Sequence, residues 1–223
     1  MNRQLIKTAF LGLFFLSSSV MADGYGVYEN HPYEFLIKKN ISQFSETYII
    51  SPPAPGITSL QTTYPGTVKK SAFRVRTNYD LSNQKGWQAT GITRLLSLGV
   101  IYSWATDIDI YDTRNVKIGF IDGSIATLEA ARYDLYSYDE QGNANQVGVA
   151  LSNADFTRFS ITSPGNYLPI AELVRDQKNN AWTLTVTEPG IIDDRIIRIF
   201  AGFVTNYQDK FLAEPLDNSA PKA

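Results

Sequence analysis

Val100 to Asp112 reads VIYSWATDIDIYD. Its even positions are Val100, Tyr102, Trp104, Thr106, Ile108 and Ile110, and its odd positions are Ile101, Ser103, Ala105, Asp107, Asp109 and Tyr111. Successive side chains on a β-strand point to opposite faces. One face of this run is therefore mostly apolar, and the other turns acidic halfway along. At ~3.3 Å per residue the run would span roughly 40 Å, long for one strand, so a bend is expected near Ala105–Thr106.

The same period recurs downstream. Phe73, Val75, Thr77 and Tyr79 alternate with Arg74, Arg76 and Asn78. Val116, Ile118 and Phe120 form the next apolar face, closed by Asp122-Gly123. Arg132 to Ser152 reads as a hairpin, with Tyr133, Leu135, Tyr136 and Tyr138 before the turn cluster 139–143 and Val147, Val149 and Leu151 after it. Trp182, Leu184 and Val186 alternate with Thr183, Thr185 and Thr187, a half-buried strand. Ile196 to Val204 (IIRIFAGFV) is apolar on both faces apart from Arg198, which fits a central strand. Ser124 to Arg132 suits one short helix, with a strand as the rival reading.

Strands at this spacing predict an all-β fold, an antiparallel β-sandwich of jelly-roll or Ig-like type with about nine or ten strands and at most one or two short helices. The organisation expected is a signal peptide over 1–22, an N-terminal segment with a Pro-rich connector over 23–66, the β-sandwich domain over 67–212 and a disordered tail over 213–223. Ser51 to Gly66 holds Pro52, Pro53, Pro55, Gly56 and Pro65, which motivates the boundary.

The leader reading rests on Arg3 and Lys7, the apolar run Thr8–Leu16, and small residues ending at Val20 and Ala22, with cleavage after Ala22. Export to the periplasm or the medium follows. The chain carries a formal charge of −2, and losing Arg3 and Lys7 (−2 less two positive charges) brings it to −4. A mildly acidic surface without a basic block argues against nucleic acid as a partner. The chain has no Cys and one His. That excludes thiol catalysis and zinc sites built on Cys or several His, and points to a bacterial envelope or secreted protein. The one histidine, His31, lies in the N-terminal segment. No P-loop, nucleophile elbow or dinucleotide fingerprint is present.

Two chemistries remain. Asp107 and Asp109 share a strand face and Asp112 follows at its end, a possible Ca²⁺ site, since that ion takes six to eight oxygens; a solvated outer face is the plainer alternative. The same Asp107 and Asp109, with Glu129, Asp134, Glu172, Asp193 and Asp194, are candidate acid–base carboxylates for a glycosidase-like hydrolase. Trp104, Tyr133, Tyr136 and Tyr138 are candidate ligand-binding aromatics, because exposed rings with polar tips suit sugars and protein interfaces. The leading expectation is an exported, non-catalytic β-sandwich that binds a carbohydrate or protein partner. A carboxylate hydrolase and an outer-membrane β-barrel are the alternatives.

Overall fold

A computed structural model describes residues 32–42, 45–52, 66–71, 75–100, 102, 104–127, 130–178 and 180–213. The expected leader, His31, residues 53–65 of the connector, Glu129 and the tail from 214 onward lie outside them.

Among the described residues the fold is all-β and antiparallel with one α-helix, but the strands do not form a sandwich. Twelve strands close into a single barrel. They are β1 (Tyr33–Ser42), β2 (Ser45–Ser51), β3 (Gly66–Lys70), β4 (Asn78–Asn83), β5 (Gly86–Thr93), β6 (Ile108–Asp112), β7 (Lys117–Thr127), β8 (Ala130–Tyr138), β9 (Ala144–Ser152), β10 (Arg158–Thr162), β11 (Pro169–Asp176) and β12 (Ala181–Val186). Each pairs with its neighbours in sequence, and β1 pairs with β12 to close the ring, Tyr33 opposite Val186 and Ile37 opposite Trp182. β1 and β2 are thus staves of the same barrel as β3 to β12.

Inward positions are apolar: Phe35 and Ile37 on β1, Tyr48 and Ile50 on β2, Ile108 and Ile110 on β6, Tyr133 and Leu135 on β8, Leu173 on β11 and Leu184 on β12 are all buried. Around eight strands give an interior that side chains can fill. Twelve leave a wider lumen, and α1 (Asp194–Ala213) occupies it. A helix is ~10–12 Å across and rises ~1.5 Å per residue, so one of this length runs roughly 30 Å. Every residue from Ile196 to Tyr207 is buried. That stretch of the helix therefore turns no side to water, as expected for one surrounded by protein.

The contacts run round the helix. Phe203 meets Tyr79 of β4 and Tyr133 of β8, and Phe200 meets Tyr133 and Phe159 of β10. Arg198 lies with Cζ 4.4 Å from the Phe35 ring centroid of β1. The approach is close enough to require glycine: a Cβ at Gly91 of β5 would lie 2.8 Å from Ile199 Cγ2. At the start of the helix Asp193 acts as N-cap, its Oδ1 accepting from Arg195 N at 2.8 Å and its backbone oxygen from Ile196 N at 2.9 Å. The buried Arg198 pairs with Asp194 at 2.6 Å, and Tyr33 Oη donates to Asp194 Oδ1 at 2.8 Å.

The far mouth is closed by polar side chains. The Asn206 amide nitrogen donates to Glu46 Oε2 and Tyr48 Oη, 2.7 Å each, and its oxygen accepts from Lys70 Nζ at 3.2 Å. Burial pushes the Glu46 carboxyl up, but the hydrogen bond and charge of Lys70, with help from Lys39, outweigh it and hold its pKa below the ordinary value.

Three local expectations change with this fold. Ile196–Val204 is helix, not a central strand. Ser124–Thr127 belongs to β7 and Ala130–Arg132 to β8, so the rival strand reading holds there and the helix does not. Val100–Asp112 is not one strand: a 3₁₀ turn spans Leu98–Val100, the chain turns at Trp104–Ala105, and only Ile108–Asp112 is strand.

Candidate functional site: the outer wall over β6 to β8

Outward positions of β6, β7 and β8 carry the residues singled out above, together with a ring that the sequence reading assigned to the core. The alternation groups Phe120 with Val116 and Ile118 on one apolar face. In the structure Gly119, Ile121 and Gly123 face inward, and Phe120 stands half-buried on the outside while Val116 is exposed. Two inward glycines removed the apolar signal from the true core face. A shift of one residue exchanges the faces of a strand.

Phe120 lies opposite Asp109 of β6 and Tyr136 of β8. It stacks on Tyr136 with centroids 4.3 Å apart and planes 7° from parallel. Tyr138 tilts against the same ring at 6.1 Å. Two cations also flank Phe120, Arg94 Cζ at 5.0 Å and Lys117 Nζ at 5.2 Å from its centroid, within cation–π range. Both cations are held by Asp109: Arg94 Nη2 and Lys117 Nζ each lie 2.7 Å from its Oδ1. Burial pushes the Asp109 carboxyl up, but the Arg94 and Lys117 hydrogen bonds and charges outweigh it and leave its pKa below the ordinary value.

A second row runs beside the first. The pairing of Ile108 with Ile121 sets Asp107 opposite Asp122, and Asp122 pairs with Asp134 of β8. Burial and the facing Asp122 carboxyl raise the Asp107 pKa, against the Gly123 N–H, which donates to Asp107 Oδ1 at 3.0 Å, and the charge of Arg94. Asp134 accepts from Arg132 Nη2 at 2.9 Å and from Gln146 Nε2 at 2.9 Å. Burial, with the Asp134 and Asp122 charges, raises the Tyr136 phenol.

The predicted residues therefore separate. Tyr136, Tyr138, Asp107 and Asp109 are brought together on this wall. Trp104 and Tyr133 are not: both are buried, and Tyr133 Oη donates to the Trp104 carbonyl. Their rings pack the top of the core and present nothing to a ligand outside. Asp112 is buried at the other end of β6, where its Oδ1 accepts from Arg114 N and Val116 N at 2.9 Å each and its Oδ2 pairs with Arg114. It organises the β6–β7 turn. Asp107, Asp109 and Asp112 do not converge, their oxygens are engaged by Gly123, by Arg94 and Lys117, and by the turn, and no group of three ligating side chains fit for a metal ion occurs among the described residues. Of the other carboxylates, Glu172 pairs with Arg158 at 3.0 Å, Asp193 caps α1 and Asp194 pairs with Arg198.

Two further features lie apart from the rings. A hollow of about 310 Å³ at the ends of β2, β3 and β4 is lined by Ile49, Thr67, Ser82, Asn83 and Gln84, none of which titrates near neutral pH. Tyr167, in the turn before β11, is 72 % exposed. Among the described residues no helix is long and apolar enough to cross a membrane. Set against known proteins, the chain matches no family model and no curated sequence.

Proposed function

We propose that this is an exported, non-catalytic binding protein that takes a carbohydrate or protein partner on the outer wall over β6 to β8. One observation carries the reading. Phe120, Tyr136 and Tyr138 stand on a water-facing wall, flanked by cations and carboxylates that are already fixed in place. Rings ordered in advance lose little freedom on binding. The three rings are half-buried on the outside, which suits a protein surface; the exposed Tyr167 ring suits a sugar face. Export rests on the leader pattern of residues 1–22.

The wall also bears on the alternatives. A membrane barrel turns an apolar band outward and a polar lumen inward. Here the lumen is filled by Phe200, Phe203 and their neighbours, and the wall carries Asp107, Asp109, Asp122, Asp134, Arg94 and Lys117. The hydrolase reading is favoured by one observation, the raised Asp107 carboxyl beside Asp122, a pattern seen in acid catalysts. The pair lies on the outer face of the barrel, however, away from the hollow at the ends of β2, β3 and β4.

The test is binding of the mature protein to a glycan array and to solubilised envelope proteins, repeated with Tyr136→Ala/Tyr138→Ala. The expected result is at least a tenfold loss of every retained interaction with an unchanged far-UV spectrum. Retention of all binding by the folded double variant overturns the reading.

A further inference from the structure

Towards the end of α1, the helix is pressed against β3. A Cβ at Gly202 would lie 2.8 Å from Val68 Cγ1. Asn206 follows Gly202 by four residues on the helix and shares its face, and Lys70 follows Val68 by two on the strand and shares its side. The close passage at Gly202 thus sets Lys70 beside Asn206, two residues 136 positions apart in the chain. Lys70 Nζ lies 3.2 Å from the Asn206 amide oxygen.

Glu46 of β2 completes the group. Its Oε2 lies 2.9 Å from Lys70 Nζ and 2.7 Å from the Asn206 amide nitrogen. One carboxylate oxygen therefore touches both an amine and the nitrogen of the carboxamide that the amine faces. Tyr48 Oη lies 2.7 Å from the same amide nitrogen and 3.3 Å from the same carboxylate oxygen. Asn206 is 5 % exposed, and the Lys70 and Glu46 side chains are 19 and 31 % exposed. The order of these groups is that of an acyl transfer: a nucleophile, a proton carrier, and an acyl carbon with a leaving nitrogen.

We infer that Lys70 and Asn206 form an intramolecular amide bond, with Glu46 moving the proton, and that this bond ties α1 to the barrel wall. Burial works against the charge of Glu46, but Lys70 and Lys39 outweigh it and keep the group ionised, so it starts as a base. The Lys70 ammonium passes a proton to Glu46 Oε2, which turns an ion pair into a neutral pair in a partly buried mouth. The neutral Nζ attacks Asn206 Cγ, and a C–N bond forms. Glu46 gives its proton to Nδ2, the Cγ–Nδ2 bond breaks, and ammonia leaves, taking the second Nζ proton with it as ammonium. One ammonium and one carboxamide become one secondary amide and one free ammonium, so the step needs neither oxidant nor reductant. Fixed positions supply a high effective concentration of the amine at the acyl carbon. The chain has no Cys, so no disulfide can tie the helix to the wall. The mouth stands on β2 and β3, apart from the ring-bearing wall over β6 to β8, so this bond and that surface can fail independently.

The test is the mass of the purified protein under denaturing conditions, with its N-terminus read separately, followed by peptide mapping. The expected result is a mass lower by one ammonia than the sequence requires, a branched peptide joining Lys70 to Asn206, and no tryptic cleavage after Lys70. Neither measurement needs a variant to fold. Lys70→Arg keeps the charge and Glu46→Gln the shape; both should have the full sequence mass, with a melting temperature lower by roughly 10 °C. Tyr136→Ala/Tyr138→Ala should carry the bond in full. The inference is overturned if the wild type has the full sequence mass, if Glu46→Gln forms the bond as completely as the wild type, or if the loss of ammonia persists in Lys70→Arg, which would mark cyclisation of Asn206 onto its own backbone.

Discussion

The inside and the outside of this barrel use the same residue types to different ends. Inside, Tyr79, Tyr133, Phe159, Phe200 and Phe203 form an edge-to-face cluster with no exposed member. Outside, Phe120 and Tyr136 stack face to face with charged neighbours. The inner rings are held from all sides, by strands around and a helix within. The outer ones are held only along the sheet, by cross-strand partners and by cations that salt can screen. The inner set should therefore govern stability, and the outer set should be replaceable at small cost.

The sharpest way to break that contrast is Phe203→Ala. Truncating a buried Phe typically costs about 3–5 kcal/mol. A denaturant titration should show a loss of that size, and a loss no larger than that of an outer-wall variant would mean the helix is not the core. Gly91→Ala tests the fit from the other side. The added methyl would meet Ile199 and Ile108 at 2.8 and 2.9 Å, and overpacking of this kind costs about 1–3 kcal/mol; an unchanged melting temperature would argue against so close a passage.

The smallest effects belong to the wall, and they carry opposite signs. The folded Asp109 has a depressed pKa, so its stabilisation is present above the ordinary carboxyl value of 3.8 and is lost as pH falls through the folded value. Asp107 has a raised pKa, so its contribution is complete below 3.8 and is lost as pH rises through the folded value. At pH 7, Asp109→Asn should lower the melting temperature slightly and Asp107→Asn should raise it, each by the equivalent of up to about 1 kcal/mol for partly exposed groups. Both differences should shrink towards pH 3. Shifts of the same sign at pH 7 would contradict the two-row arrangement.

Much of the sheet was legible because its determinants are local. The turn at 139–143 and the period on either side place β8 and β9. Trp182, Leu184 and Val186 alternate with threonines and face inward as read. From Trp104 onward the even positions of the Val100–Asp112 run are buried, as the alternation implies. Closure was not legible, because the Tyr33–Val186 pairing joins residues with no local mark of their partnership. The helix was hidden by its own environment. A helix buried on every side has no polar stripe to reveal a 3.6-residue period, so IIRIFAGFV suits a buried strand equally well. At the site, Tyr136, Tyr138 and Asp109 could be chosen as candidates, whereas Phe120 was lost to inward glycines, Tyr133 turns inward onto the helix, and Trp104 is buried by a loop folding back over the barrel mouth.

The helix that fills the lumen follows all twelve strands in the chain. During synthesis or translocation from the N-terminus, the staves emerge before the residues that pack against them. Until Ile196–Tyr207 arrive, Tyr79, Tyr133 and Phe159 have no partner along the axis, and β1 waits for β12. Folding is therefore deferred to the end of the chain and depends on contacts far apart in sequence, the topology associated with slow folding. A polypeptide built this way gains its rigidity only when its last element arrives.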